Sequence, residues 1–120
     1  MSVFAADTRL SSPQLCKLAG ITYRQLDYWC RRDDYLARFG GGLLGSGNHR
    51  RWSPRLALAI RIAGSVTDAL GGKLQRVILF KVMTAVMNGD DYLELDHGIT
   101  LAWDPVEHER MIERAWLVEL

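Results

Sequence analysis

"GITYRQLDYWCRR", residues Gly20 to Arg32, packs three arginines, two tyrosines and a tryptophan into little more than three helical turns. Thr22 is a residue type that caps helix starts and Gly20 one that ends them, so one helix closes at Gly20 and another opens after Thr22. Leu26, Trp29 and Cys30 stand at i, i+3 and i+4 and share one face, with Thr22 above them. At about 100° per residue, Arg24, Tyr28 and Arg31 point the opposite way, with Gln25, Asp27 and Arg32 on the flanks. The Trp29 face therefore goes to the core. A solvated helix face usually mixes Glu and Lys. This one carries arginines and an aromatic, residue types suited to phosphate, base-edge and sugar contacts.

Upstream, "SSPQLCKLAG" (Ser11–Gly20) reads as a helix capped by Ser11 or Ser12, with Pro13 in its first turn and Leu15, Leu18 and Ala19 as its apolar stripe. Two helices joined by a short Gly-containing turn make a helix-turn-helix pattern. "TRL" (Thr8–Leu10) is a candidate short strand. Downstream, Tyr35–Phe39 and His49–Trp52 flank a Gly/Ser/Asn tip and read as a β-hairpin, which after a helix-turn-helix is a wing. Ser53 caps and Pro54 opens a third helix to about Leu70, with Leu56, Ile60, Ala63 and Val66 on one side. The fourth helix, Lys73–Met87, is apolar almost all round, which implies burial on more than one side. A second hairpin turns at Asp96–Gly98, with Leu93, Leu95, Ile99, Leu101 and Trp103 as its expected buried face. Asp104–Pro105 starts a last helix with Met111, Ile112, Ala115 and Trp116 inward. The expected fold is mainly α with small β-hairpins: a winged helix-turn-helix over residues 1–71, and a helix, hairpin and helix over 72–120.

The net charge of +1 hides an asymmetry. Residues 1–81 hold 13 of the 15 Lys and Arg against five acids, a formal +8, whereas residues 82–120 hold two against nine, a formal −7. A basic, anion-facing part precedes an acidic one with another task. The two cysteines, Cys16 and Cys30, have no metal-ligand spacing and read as small core residues; a reducing cytoplasm is the expected compartment. Apolar stretches are too short for a membrane span.

"GGGLLG" (Gly40–Gly45) matches G-x-G-x-x-G, but basic hairpin residues follow where a dinucleotide site needs a helix. Asp96–His97 and Glu107–His108–Glu109 lack a metal-binding spacing and read as solvated surface. No nucleophile motif and no general base stands out. The expectation is a non-enzyme without cofactor or metal.

Sequence reading of DNA comes from side chains near the N-terminus of a helix in the major groove, and affinity from cations on phosphates. Thr22, Tyr23, Arg24 and Gln25 occupy such a turn, with Tyr28 and Arg31 along the exposed face. Arg24 suits a bidentate contact to guanine and Gln25 one to adenine. Arg24 equally suits a phosphate clamp or an i, i+3 partner of Asp27. His49, Arg50 and Arg51 lie in a row on the return strand of the wing, and Trp29 and Trp52 read as core or hairpin anchors.

"LAGITYRQLDYW", then a wing, then "GSGNHRRWS" leading into an apolar helix, resembles the winged helix-turn-helix of the MerR family over roughly residues 8–85. The resemblance implies DNA contacts by Thr22, Tyr23, Arg24 and Tyr28, and backbone contacts by Arg50 and Arg51. Asp27 stands where that family commonly has an arginine, an anion in place of a phosphate contact. The family's long dimerising coiled coil has no counterpart, because the helix from Lys73 ends at "NGDD" (Asn88–Asp91). The expected function is sequence-specific double-stranded DNA binding by a small bacterial or phage transcriptional regulator in the cytoplasm, at the nucleoid. Alternatives are an architectural factor for recombination directionality or DNA packaging, and an antitoxin or adaptor whose acidic part binds a protein. Residues 73–120 are expected either to fold back on their own chain or to form a homodimer, the dimer being slightly favoured.

Overall fold

Two helices open in the same way. The first, α1 (Ser12–Ala19), begins at Ser11, whose hydroxyl accepts from the Gln14 N–H while the Gln14 side chain accepts from the Ser11 N–H at 2.9 Å. The second, α2 (Tyr23–Arg32), repeats that reciprocal capping box with Thr22 and Gln25, at 3.1 and 2.9 Å. Each box satisfies two backbone N–H groups at the helix start that have no partner within the helix. Between the helices Gly20 turns through a left-handed conformation, φ +76°, and both Gly20 and Ile21 donate to the Cys16 carbonyl. Such a helix end favours glycine. The computed structural model describes residues 4–5, 7–32, 51–72, 76–95 and 98–119, without the side chains at 29–32, 76 and 119.

The expected strand at Thr8–Leu10 is a single antiparallel bridge, Leu10 to Trp52, with N···O distances of 2.7 and 2.9 Å. Trp52 is fully buried, and its indole N–H donates to the buried Ser12 hydroxyl at 3.1 Å. Ser11 is thus the cap of α1, and Ser12 holds a tryptophan 40 residues away.

After α2 the next described helix is α3 (Pro54–Ala69). Ser53 has the extended backbone of a cap residue, but its hydroxyl makes no capping bond and is enclosed without a partner. The Leu56 N–H that it would serve donates instead to the Ser53 carbonyl, at 3.1 Å. Burial on α3 extends well beyond the four residues expected: every position from Leu56 to Ile60 is buried, as are Ile62, Ala63 and Val66. Ala57, Ala59 and Ala63 weigh little in a hydropathy pattern, yet they let neighbouring helices approach closely.

The fourth helix, α4 (Arg76–Met87), packs along α3. It buries Val82, Met83, Ala85 and Val86 but leaves Val77 exposed and residues 78–80 half-buried. The helix surrounded on several sides is therefore α3, not α4. A two-stranded antiparallel sheet follows, β1 (Tyr92–Glu94) and β2 (Thr100–Ala102), with Leu93 opposite Leu101. These two face inward with Leu95 and Trp103, but Ile99 is 55% exposed. It sits at the mouth of the turn, where Leu95 N–H donates to its carbonyl, beyond the last inward pair. Residues 96 and 97 lie outside the described residues.

The last helix, α5 (Pro105–Glu119), is started by the Asp104 carboxylate, which accepts from the Val106 N–H at 3.0 Å. It packs against α3 and α1. Ile112 is buried, Ala115 and Trp116 are half-buried, and the Trp116 ring lies 5.1 Å from that of Phe4. Met111, expected inward, is 45% exposed because the turn of α5 that meets α3 centres on Ile112. His108, one turn before Ile112, is half-buried with Nδ1 enclosed and unpartnered, not on a solvated face. Leu10, Leu26 and Trp52 share one apolar core with Val82, Met83, Val86 and Ile112. The hairpin and last helix thus fold back on their own chain.

Candidate nucleic-acid interface

Among the described side chains of α2, Leu26 shows which face turns inward. Leu26 is 1% exposed and faces α1, which turns Tyr23, Arg24 and Tyr28 outward. Tyr23 and Tyr28 are 46% and 47% exposed, Arg24 and Gln25 are exposed, and Asp27 is half-buried. Two tyrosines with that much surface in water present a polar tip and an apolar ring on either side of a guanidinium. Such a surface can stack, donate hydrogen bonds and neutralise an anion.

The capping box changes the part played by two of the expected residues. The Gln25 side-chain oxygen accepts from both the Thr22 N–H and the Thr22 hydroxyl. A bidentate contact to adenine needs that same oxygen as acceptor beside the amide donor. Gln25 and Thr22 therefore set the start of α2, and base reading by Gln25 would require that start to open. The signal was legible: Thr22-x-x-Gln25 repeats Ser11-x-x-Gln14.

Arg51 is exposed, as alternation along an extended segment requires of the residue before the buried Trp52. Arg31 lies within α2, but its side chain is outside the described residues, as are His49, Arg50 and the rest of the expected wing, with "GGGLLG". Cys16 is buried as expected, and the Cys30 side chain is not described.

Two other arginines belong to the architecture, and sequence reasoning missed them. Arg61 donates through Nε to the Leu18 carbonyl in the last turn of α1, and its guanidinium lies against Gly20. Arg55 donates through Nε to the Val86 carbonyl in the last turn of α4, at 3.1 Å, and its guanidinium lies against Gly89, φ +88°. In both places an α3 arginine supplies a donor and a positive charge to a helix C-terminus, where carbonyls lack partners and the dipole is negative. Their sequence signal is a lone cation inside an apolar run, "RLALAIRIA". Both are part of the +8 surplus, so that surplus is not all facing outward.

No protein-family model matches the chain, and no solved structure matches it significantly. Over 56 residues it is 39% identical to proteins named HTH-type transcriptional regulators in Mycobacterium bovis and in two strains of Mycobacterium tuberculosis. The matched stretch is 47% of this chain and 24% of each relative, so the chain spans about a quarter of their length. The chain is similar to HTH-type regulators over that stretch. Among the described residues no helix is long and apolar enough to cross a membrane.

Proposed function

We propose that this chain binds double-stranded DNA in a sequence-specific way and acts as a MerR-like, winged helix-turn-helix transcriptional regulator without catalytic activity. The observation that carries the proposal is the outward Tyr23–Arg24–Tyr28 face on the first turns of a firmly capped helix. The similarity to proteins named transcriptional regulators supports it from an independent direction. In this proposal Arg24 reads a base edge, Tyr23 and Tyr28 contact sugar and base, and Arg31, His49, Arg50 and Arg51 hold phosphates. Thr22 and Gln25 keep the helix start in place. The activity belongs in the cytoplasm, at the nucleoid.

A homodimer through α5 is the second part of the proposal. The helix leaves Val106, Met111, Leu117 and Val118 exposed beside Glu107, Arg110 and Arg114. Glu107 and Arg114 are seven residues apart on one face with Met111 between them. A two-fold axis near Met111 would set each Glu107 against Arg114 of a second copy, a self-complementary arrangement. Two reading heads would then meet two half-sites.

Selection of bound sequences from random duplex DNA tests the proposal. A preferred site with two related halves is expected. Arg24→Ala should cost about 1–3 kcal/mol on that site and relax preference at one or two base pairs. Arg51→Ala should weaken preferred and random duplexes alike. Equal losses for Arg24→Ala on both would make Arg24 a phosphate clamp.

A further inference from the structure

We propose that Arg61, which lies on α3 and outside the reading face, is the positioning residue that sets the angle of α2. The inference rests on α2 being the DNA-reading helix. The turn that leads into α2 is short: α1 ends at Ala19, Gly20 adopts φ +76°, and α2 is already capped by Thr22. Three hydrogen bonds hold that turn. Gly20 and Ile21 N–H groups meet the Cys16 carbonyl from within the turn, and the Leu18 carbonyl is held from outside by Arg61 Nε. The central and two terminal guanidinium atoms of Arg61 lie 3.8–3.9 Å from where a Gly20 side chain would begin, so a flat cation supports the turn from below. Ile60 and Ile62 on either side of Arg61 are buried, so the support is anchored in the most enclosed helix of the fold.

The same chain contains the comparison that separates positioning from stability. Arg55 makes the equivalent grip on α4, with Nε on the Val86 carbonyl and a guanidinium nitrogen 3.6 Å from where a Gly89 side chain would begin. It supports a helix end that leads to the acidic hairpin and not to α2. Loss of either grip removes a charged hydrogen bond from a helix terminus. Only the loss at Arg61 lets the start of α2 move relative to the core.

The experiment measures affinity of the full chain for its preferred duplex and for a random duplex, over a salt series, in wild type, Arg61→Met, Arg61→Asn, Arg61→Lys and Arg55→Met. Arg61→Met is expected to reduce the preferred-to-random ratio by about three- to thirty-fold, the size of coupling carried through residues that touch neither ligand nor site. Its salt slope on random duplex stays at the wild-type value. Arg61→Lys, which still reaches the Leu18 carbonyl, keeps the ratio within about threefold, as one hydrogen bond is retained. Arg55→Met lowers the melting temperature but leaves the ratio intact. An unchanged ratio in Arg61→Met overturns the proposal, as does an equal loss in Arg55→Met. A slope reduced by about 0.9, with both duplexes weakened alike, also overturns it, because Arg61 is then itself a phosphate contact. Should Arg61→Met fail to fold, Arg61→Asn decides: it keeps a donor, but one bond shorter than Arg Nε and too short to reach the Leu18 carbonyl, and full discrimination in it overturns the proposal. A wild type that binds no duplex refutes the DNA-binding function itself, a separate result from any of these.

Discussion

Replacing the two partners of the Ser12–Trp52 pair, singly and together, is a direct test of how the segment carrying Arg51 is anchored. Trp52 is fully buried, Ser12 is 2% exposed, and the indole N–H to hydroxyl distance is 3.1 Å. Ser12→Ala leaves the indole N–H without an acceptor in a closed interior, at a cost of about 1–3 kcal/mol. Trp52→Phe removes the donor and part of a ring in the core, and a loss of similar size is expected from the void and the broken bond. The double variant has neither an orphaned donor nor an acceptor waiting for it. Its total loss should fall short of the sum of the two by about 1 kcal/mol, within the range for residues in contact. In a chain of this length each kcal/mol moves the melting temperature by roughly 3–6 °C. Urea unfolding of the four proteins, followed by far-ultraviolet circular dichroism, gives the cycle. Losses that add within about 0.3 kcal/mol would refute the pairing of the Ser12 hydroxyl with the Trp52 indole.

Gln25→Glu should preserve stability or raise it by about 0.3–1 kcal/mol, since glutamate completes the same capping box and sits well at a helix N-terminus. A drop of more than about 1 kcal/mol in thermal unfolding would remove Gln25 from the cap. Ending the chain after Gly89 strips α5 and the hairpin from Leu58, Val82 and the other core residues of α3 and α4; light scattering should show aggregation. A soluble, cooperatively folding truncation would mean that this cover is dispensable.

The helix-turn-helix was legible because each boundary has a residue with one physical job: Ser11, Gly20 and Thr22 are caps, and Leu15, Leu18 and Ala19 repeat at helical spacing between the first two. The outward face of α2 followed from the same wheel. What the sequence did not disclose is which neighbour each helix meets. Periodicity finds an apolar stripe, but α3 is enclosed because alanines admit α1, α4 and α5 around it. Met111 and Ile99 are apolar and lie outside the contact, since the width of a buried face depends on the partner and not on the helix or strand itself. Arg55 and Arg61 entered the formal charge of the basic part without a role of their own, and the helix ends beside them show their use. Gln25 was read from its side-chain chemistry as a base contact, and its place three residues after Thr22 also marks the capping role seen in the structure.

The most direct measurement of the central claim is the salt dependence of duplex DNA binding by the intact chain, followed by fluorescence anisotropy. Arg24, Arg31, Arg50, Arg51 and one further cation at the phosphates give about five neutralised charges per protomer, and log K against log[salt] should fall with a slope of roughly −4 to −5 per protomer. A slope near zero, or no binding of any duplex at low salt, would contradict the account.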